Sequence, residues 1–394
     1  MTKCRICIRT NVPEIETIRF LLHPYSLDPR ATSEQCDFLV SISKDGRDLT
    51  ISSGRCELSW THNGSVGSAT AGCVLFPLSE IVRCREIITT VMNPNVALIY
   101  RLLTGLPIKY NRAPPQIRSA LLRQSSGFGI PKNFIKIDET RLALTDCFAQ
   151  LGMKLRARKS PDLIITHDID TRKGLERAEA MKSVEDDLGV ESSWFIPSEE
   201  FPLNGIVIRD LAEGSQIGSH DTKHDGTLVH MRDKTRLARR LAKSRTQLEE
   251  KTGRPIKLFR APLMQFSREI VNALEIAGYE EDFSLPSWES SNPVVMGGFG
   301  IQTSVPFHIG KMVEHPLSLP QDHQLLMIFG LSTQAAVKYW TQQASRIFSL
   351  GGDVVLLVHP DYAFSQELGD YKQLISSLKE MKSSIPSSLR YIRH

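Results

Sequence analysis

From residue 161 onward, short unbroken apolar runs alternate with longer, mixed, helix-like runs. Leu163–Thr166, Ser192–Ile196, Gln216–Ser219, Ile256–Phe259 and Val354–Val358 are the apolar runs and predict strands. Arg172–Leu188, Ile206–Glu213, Thr227–Lys251, Ser267–Ala277, Ala335–Leu350 and Phe364–Met381 predict helices. Gly253, Gly278 and Gly351-Gly352 supply three of the stops. Strands that are apolar along their whole length are buried on both faces, as in a parallel sheet covered by helices. The stretch is long enough for a (β/α) barrel rather than a small open sheet.

The N-terminal part has a different pattern. Phe38–Ser43, the turn Lys44-Asp45-Gly46-Arg47 and Leu49–Ile51 predict a β-hairpin, since Asp-Gly between alternating apolar residues favours a tight turn. Asn95–Thr104 predicts a helix ended by Gly105 and Pro107, and Asn111–Asn133 an irregular link. All seven cysteines precede residue 148, and the charged segment Arg156–Ser160 ends at the breaker Pro161. A smaller mixed α/β domain is therefore expected at 1–155 and the barrel at 156–394. No catalytic residue types gather in 1–155, so its role is not legible.

Composition narrows the class. Hydrophobic residues at 41% and charged residues at 23% match a folded globular chain, which excludes disordered, collagen-like and disulfide-scaffold classes. A formal charge of +4 over 394 residues points to no polyanionic partner. Arg232, Lys234, Arg236, Arg239, Arg240, Lys243 and Arg245 form a basic run on one predicted helix. No aromatic residues interleave to stack bases, so the run reads as a solvated face and no nucleic acid is expected. No apolar stretch approaches the roughly 20 residues of a membrane span. Lys3, Arg5 and Arg9 are followed by no apolar run, unlike a secretory signal, so the expected location is cytoplasmic with reduced thiols. The lone Cys4-x-x-Cys7, with no second such pair, reads as free thiols rather than a zinc or redox site.

The polar residues that matter lie just past predicted strands, the end of a (β/α) barrel where active sites form. Asp168 and Asp170, two apart in extended chain, project to one side. Like charges held together call for a cation between them, although a helix N-cap beside a surface acid gives the same spelling. His220 and His224, four apart after the next strand, can face one metal ion. With one carboxylate they make three protein ligands and leave positions open for water, as catalytic sites do. Arg260 ends a third strand, either in a surface ion pair or beside an acid. His359 directly follows the most apolar strand, as a cap or as a general acid.

In this order the residues resemble the motifs of the polysaccharide deacetylase family, the NodB-homology domain of carbohydrate esterases, over roughly residues 161–394. Asp168 and Asp170 resemble its paired acids in a D-x-D variant. His220–His224 resembles its H-[S/T]-x-x-H, with Asp221 in the hydroxyl position and Thr222 one place later. Arg260-Ala261-Pro262-Leu263 is similar to its R-x-P-Y, with leucine for tyrosine. Asp282 and Trp288 loosely match its acid and tryptophan, and Leu356–His359 its L-x-x-H.

The resemblance implies an α/β fold, a deformed (β/α) TIM-like barrel, and metal-assisted amide hydrolysis. It implies Asp170, His220 and His224 as ligands of a divalent metal, Zn²⁺ first, with Co²⁺, Ni²⁺, Mn²⁺ or Fe²⁺ as alternatives. It further implies Asp168 as base, Arg260 as its charged partner and a backbone N–H near Leu263 for the oxyanion. His359 would be the acid, oriented by Asp282, with Leu356 and Trp288 lining the substrate site. The implied substrate is an N-acetylated sugar or glycan precursor. The alternatives are a small amide, as in allantoinase-like relatives, or a non-catalytic carbohydrate- or metal-binding module.

Overall fold

The computed structural model describes residues 6–9, 12–24, 38–42, 47–53, 73–92, 130, 132–151, 160–288 and 300–385. Cys4, the predicted helix Asn95–Thr104 and most of the predicted link 111–133 lie outside them. The described residues fall into two compact units. One is drawn from Met1–Thr89, Lys136–Ser160 and Ile385–His394, the other from Thr90–Ile135 and Pro161–Ser384.

The first unit is a four-stranded sheet in the order β1 (Ile6–Arg9), β2 (Phe38–Ile42), β3 (Asp48–Ser53) and β4 (Cys73–Pro77). Its helices are α1 (Val12–Leu22), α2 (Leu78–Val91) and α3 (Lys136–Gln150). The hairpin forms as the sequence predicts, antiparallel from Phe38↔Ser53 to Ile42↔Leu49. Ile18, Leu21, Val40, Ile51, Phe76, Leu144 and Phe148 make its core.

The second unit alternates strand and helix. It runs β5 (Leu163–Asp168), α4 (Arg172–Leu188), β6 (Ser192–Ile196), α5 (Gly205–Ala212), β7 (Gln216–Ser219), α6 (Lys234–Thr252), β8 (Leu258–Phe259), α7 (Arg268–Ala277) and β9 (Glu281–Asp282). It continues through β10 (Phe307–Ile309), β11 (Met312–Glu314), α8 (Thr333–Ser349), β12 (Val354–Leu357) and α9 (Leu368–Ser384). The sheet order is β10-β11-β9-β8-β7-β6-β5-β12, parallel except for the β10–β11 pair.

Two helix starts differ from the sequence reading. The run predicted as Thr227–Lys251 is a short turn at Leu228–His230 and then α6, because the Asp233 carboxylate accepts from the N–H groups of Thr235 and Arg236 and caps the helix there. The run predicted from Phe364 likewise begins with a turn at Ala363–Ser365, and the long helix starts at Leu368.

The sheet closes on itself without a regular last strand. Past β11, Leu317 N–H donates to Leu285 O at 2.8 Å, and Ser287 N–H donates to Leu317 O at 2.8 Å. Two residues on, Leu319 N–H donates to Val355 O at 3.3 Å, and Val355 N–H donates to Ser318 Oγ at 2.8 Å. Irregular chain at 317–319 thus bridges β12 to the β9 side, which is the deformation of this curled (β/α) barrel. Inside it, Ile164, Phe195, Leu258, Met264, Phe283, Leu317, Val355 and Leu357 pack together.

Period-two alternation gives β5 two distinct faces. Ile164, Thr166 and Asp168 face the interior, and His167 faces the helices. His167 Nδ1 lies 2.7 Å from Val358 O and Nε2 lies 2.7 Å from Glu185 Oε1 on α4. Ser192 Oγ and the Tyr371 hydroxyl of α9 also donate to that carboxylate, and Trp194 stacks on the imidazole at 4.0 Å. These groups are all buried. Both imidazole nitrogens thus face oxygens, and the ring is held between the Val358 carbonyl and the Glu185 carboxylate. Among the described residues no helix is long and apolar enough to cross a membrane.

Candidate active site

Four strand ends bring the predicted polar residues to one mouth of the barrel. At β5, Asp168 Oδ1 accepts from Arg260 Nη1 at 2.9 Å. Arg260, ending β8, is fully buried, so it is not a surface ion-pair partner. The same Nη1 reaches Thr166 Oγ1 at 3.0 Å, Nε donates to Phe283 O at 3.1 Å, and the guanidinium lies 4.5 Å from the Phe195 ring centroid. A charge this deep is tolerable only when paired and hydrogen-bonded, and Asp168 is the acid that Arg260 holds in position.

Asp170 is set apart from it by the turn into α4. Its N–H donates to Asp361 Oδ2 at 3.2 Å, and Thr171 Oγ1 donates to the other oxygen of that carboxylate. Residue 174 must be glycine to admit Asp361, since a Cβ there would stand 2.3 Å from Asp361 Oδ2. The Asp170 carboxylate then projects at the two histidines: Oδ1 is 3.6 Å from His220 Nε2 and 3.4 Å from His224 Nε2.

His220 Nδ1 lies 2.8 Å from Arg260 O. A carbonyl only accepts, so Nδ1 carries the proton and Nε2 offers its lone pair in the neutral ring. Asp170 Oδ1 and His220 Nε2 are both buried and have no hydrogen-bond partner. Burial favours the neutral acid, but the facing His224 and His220 imidazoles hold the Asp170 carboxyl well below the usual carboxylate range. Burial likewise opposes a charge on His220, but Asp168 and Asp170 raise its pKa. One carboxylate and two imidazoles, with ligand atoms all within 4.8 Å of one another and two of those atoms buried without a partner, are a donor set that fits a divalent cation of the zinc kind.

His359, past β12, sits against Asp322: Nδ1 is 2.6 Å from Asp322 Oδ1 and the His359 N–H donates to Oδ2 at 2.7 Å. Desolvation works against the cation, but Asp322, with Asp170 and Asp168 behind it, pushes the His359 pKa up to about 10. Asp322, not Asp282, therefore orients His359. Asp282 instead accepts from Ser284 Oγ and faces Glu314 across the β9–β11 register. Burial raises the Asp282 carboxyl to about 6 and Glu314 well above its usual value.

A group whose pKa is raised in the folded chain adds stability that is complete below its unfolded pKa and is lost as pH rises through the folded one. For His359 that window runs from 6.5 to about 10. Asp322→Asn should therefore destabilise the protein most near pH 6 and progressively less toward pH 10. Denaturant unfolding of both chains at the two pH values measures this, and a gap that widens with pH refutes the pairing.

The remaining predicted residues fall as follows. Leu356 registers with Ile165 on the helix-facing side of β12, so it does not line the interior. Leu357, in register with Thr166, shares the inner face with Val355 and lies two residues before His359. Leu263 has left-handed backbone (φ 59°) and an exposed side chain. Trp288 stacks on Phe329 at 6.1 Å. Sequence reasoning missed Asp322, Asp361 and Leu357. Asp322 lies in chain with no periodic signal, whereas Leu357 was accessible from the alternation that ends at His359.

Residues 164–281 match the family model for polysaccharide deacetylase. No curated protein matches the chain. Among solved structures, one from Mycobacterium smegmatis assigned to the polysaccharide deacetylases is 16% identical, covering 58% of this chain and 91% of that one, with a TM-score of 0.45. A family 4 carbohydrate esterase from Streptomyces lividans, solved with acetate, is 15% identical over 57% and 90% of the two chains, with a TM-score of 0.37. A family 4 pseudoenzyme from Bacillus anthracis is 14% identical over 56% and 62%, with a TM-score of 0.38.

Proposed function

With residues 164–281 a polysaccharide deacetylase segment, we propose that this chain hydrolyses the amide of an N-acetylated sugar or glycan precursor, with a divalent metal held by Asp170, His220 and His224. The observation that carries the reading is the orphaned pair Asp170 Oδ1 and His220 Nε2, set beside Asp168 in its bond to Arg260 and a protonated His359. When bound, the cation, Zn²⁺ first for this donor set, supplies Lewis acidity that acidifies a water and polarises the amide oxygen.

The chain's own residues do the rest. Asp168 takes the proton of the attacking water as the water oxygen bonds to the acetyl carbon, and Arg260 keeps that carboxylate aimed. A backbone N–H at the left-handed turn of Leu263 is offered to the developing oxyanion. His359, held by Asp322, gives its proton to the nitrogen as the C–N bond breaks, releasing acetate and the free amine. Leu357, on the same inner face as His359, is the apolar neighbour for the acetyl methyl.

Incubation with chito-oligosaccharides and, separately, with small ureides tests the reading. Metal-dependent acetate release from the acetylated sugars is the expected outcome. Ring-opened or ammonia-yielding turnover of the ureide alone would transfer the site to small amides. No turnover of either, with metal bound, would make it a binding module.

A further inference from the structure

The residue after His220 is where the chain departs from the hydroxyl its resemblance implies, and it is also conformationally unusual. Asp221 has left-handed backbone (φ 64°) and is fully buried. Asp tolerates that conformation better than most residues, but a carboxylate there needs a cation. Arg240 of α6 supplies it: Nε donates to Asp221 Oδ1 at 2.9 Å and Nη2 donates to Oδ2 at 2.5 Å.

Arg240 holds more than that one side chain. Nη2 also reaches Asp225 Oδ1 at 3.0 Å and the Lys223 carbonyl at 3.5 Å, and Nη1 donates to Thr227 Oγ1 at 2.7 Å. Asp225 Oδ1 in turn accepts from the N–H and hydroxyl of Thr227. One turn further along α6, Ser244 Oγ donates to Asp221 O at 2.8 Å and meets Ser219 Oγ at 2.8 Å. The chain from 219 to 227, which contains His220 and His224, is thereby tied to one guanidinium and one hydroxyl of α6, beside the bonds of Ser198 N–H to Asp221 O, Glu199 N–H to Thr222 O and Gln265 Nε2 to Gly226 O. The His224 N–H donates to Glu200 Oε2 at 2.9 Å. Arg240 therefore does not belong to the solvated face that the basic run of its helix suggests.

We propose that Arg240 is a positioning residue that sets the separation of the His220 and His224 imidazoles through its clamp on Asp221, Asp225 and Thr227. The planar fork is what the role requires: it spans two carboxylates and a hydroxyl at once, which a lysine ammonium on a flexible stem does not. The assignment rests on the metal-site reading above, so the test must separate the two.

Zn²⁺ affinity by competition titration, and the visible spectrum of the Co²⁺ form, would be measured on the full chain. The proteins are wild type, His224→Ala, Arg240→Lys and the double variant Asp221→Ser with Arg240→Met. Wild type should bind one ion and His224→Ala should lose it; binding by neither, or equally by both, removes the metal site itself. Given that control, Arg240→Lys should weaken Zn²⁺ binding about 10–100-fold, the range for removing a support behind a ligand. The double variant removes the buried carboxylate along with its partner. It should regain thermal stability relative to Arg240→Lys, yet stay at least tenfold weaker for Zn²⁺, with an altered Co²⁺ spectrum. Wild-type affinity in either folded Arg240 variant, or affinity that recovers in step with melting temperature, would reduce Arg240 to a purely structural residue and overturn the proposal.

Discussion

Asp168→Asn should leave metal binding intact and cost roughly 10²–10⁴ in amide-hydrolysis rate, the usual loss when a general base is removed. The geometry separates Asp168 from its neighbour two residues on. Asp168 spends Oδ1 on Arg260, and its other oxygen stands 3.9 Å from His220 Nε2. Asp170 points its free oxygen between both imidazoles. Asparagine keeps an oxygen for Arg260, so the side chain stays in place, but it cannot take a proton. The companion Asp170→Asn should weaken the metal instead, since a neutral amide is a poorer ligand than a carboxylate. Metal titration and hydrolysis rates on both variants decide the matter. Loss of metal in Asp168→Asn with retention in Asp170→Asn would reverse the roles. Wild-type rates in both would end the catalytic reading.

A chain carrying both His220→Ala and His224→Ala should contain no stoichiometric metal and hydrolyse amides only at background rate. The fold should survive. Neither imidazole belongs to the packed interior of Phe195, Met264, Phe283 and Leu317. Among the described residues the rings lose the hydrogen bond of His220 to Arg260 O, about 1–3 kcal/mol for a buried acceptor left bare. Elemental analysis together with circular dichroism checks both halves of the expectation. Full metal content in the folded double variant would place the ion elsewhere. Asp322, His323 and His359 are the other grouping of metal-ligand types among the described residues, but both oxygens of Asp322 are already engaged by His359.

The elements legible from sequence were those with the strongest local signal. β5, β6 and β12 announce themselves by continuous apolar runs, and the acids and histidines that follow them inherit their place from the barrel topology. The short pairings β9, β10 and β11, of two or three residues, carry too little pattern to read, and with them went the seam at 317–319 and Asp322 behind it. Asp282 stood as the partner of His359 because it loosely matches the acid of the family motif; the acid that bonds His359, Asp322, is brought close only by closure of the sheet. Arg240 failed for a different reason. Its helix is basic on a mostly wet face, and nothing local distinguishes the one arginine aimed at a buried carboxylate from its solvated neighbours. Leu356 was a parity error that the strand's own alternation corrects.

That parity has a consequence for how faithfully the strand must be laid down. β5 carries one charged assembly on each side of a single strand: Asp168 with Arg260 inward, His167 with Glu185, Ser192 and Tyr371 outward. Slipping a strand by one residue exchanges its faces. A slipped β5 would turn His167 inward toward Arg260 and a carboxylate outward toward Glu185, removing the partners of buried polar groups on both faces by one mistake. The outward assembly touches no reacting atom, yet it proofreads the placement of the residues that do. An insertion or deletion within Leu163–Asp168 is thereby penalised twice, and drift of this sequence should be confined to substitutions that leave its odd and even positions where they are.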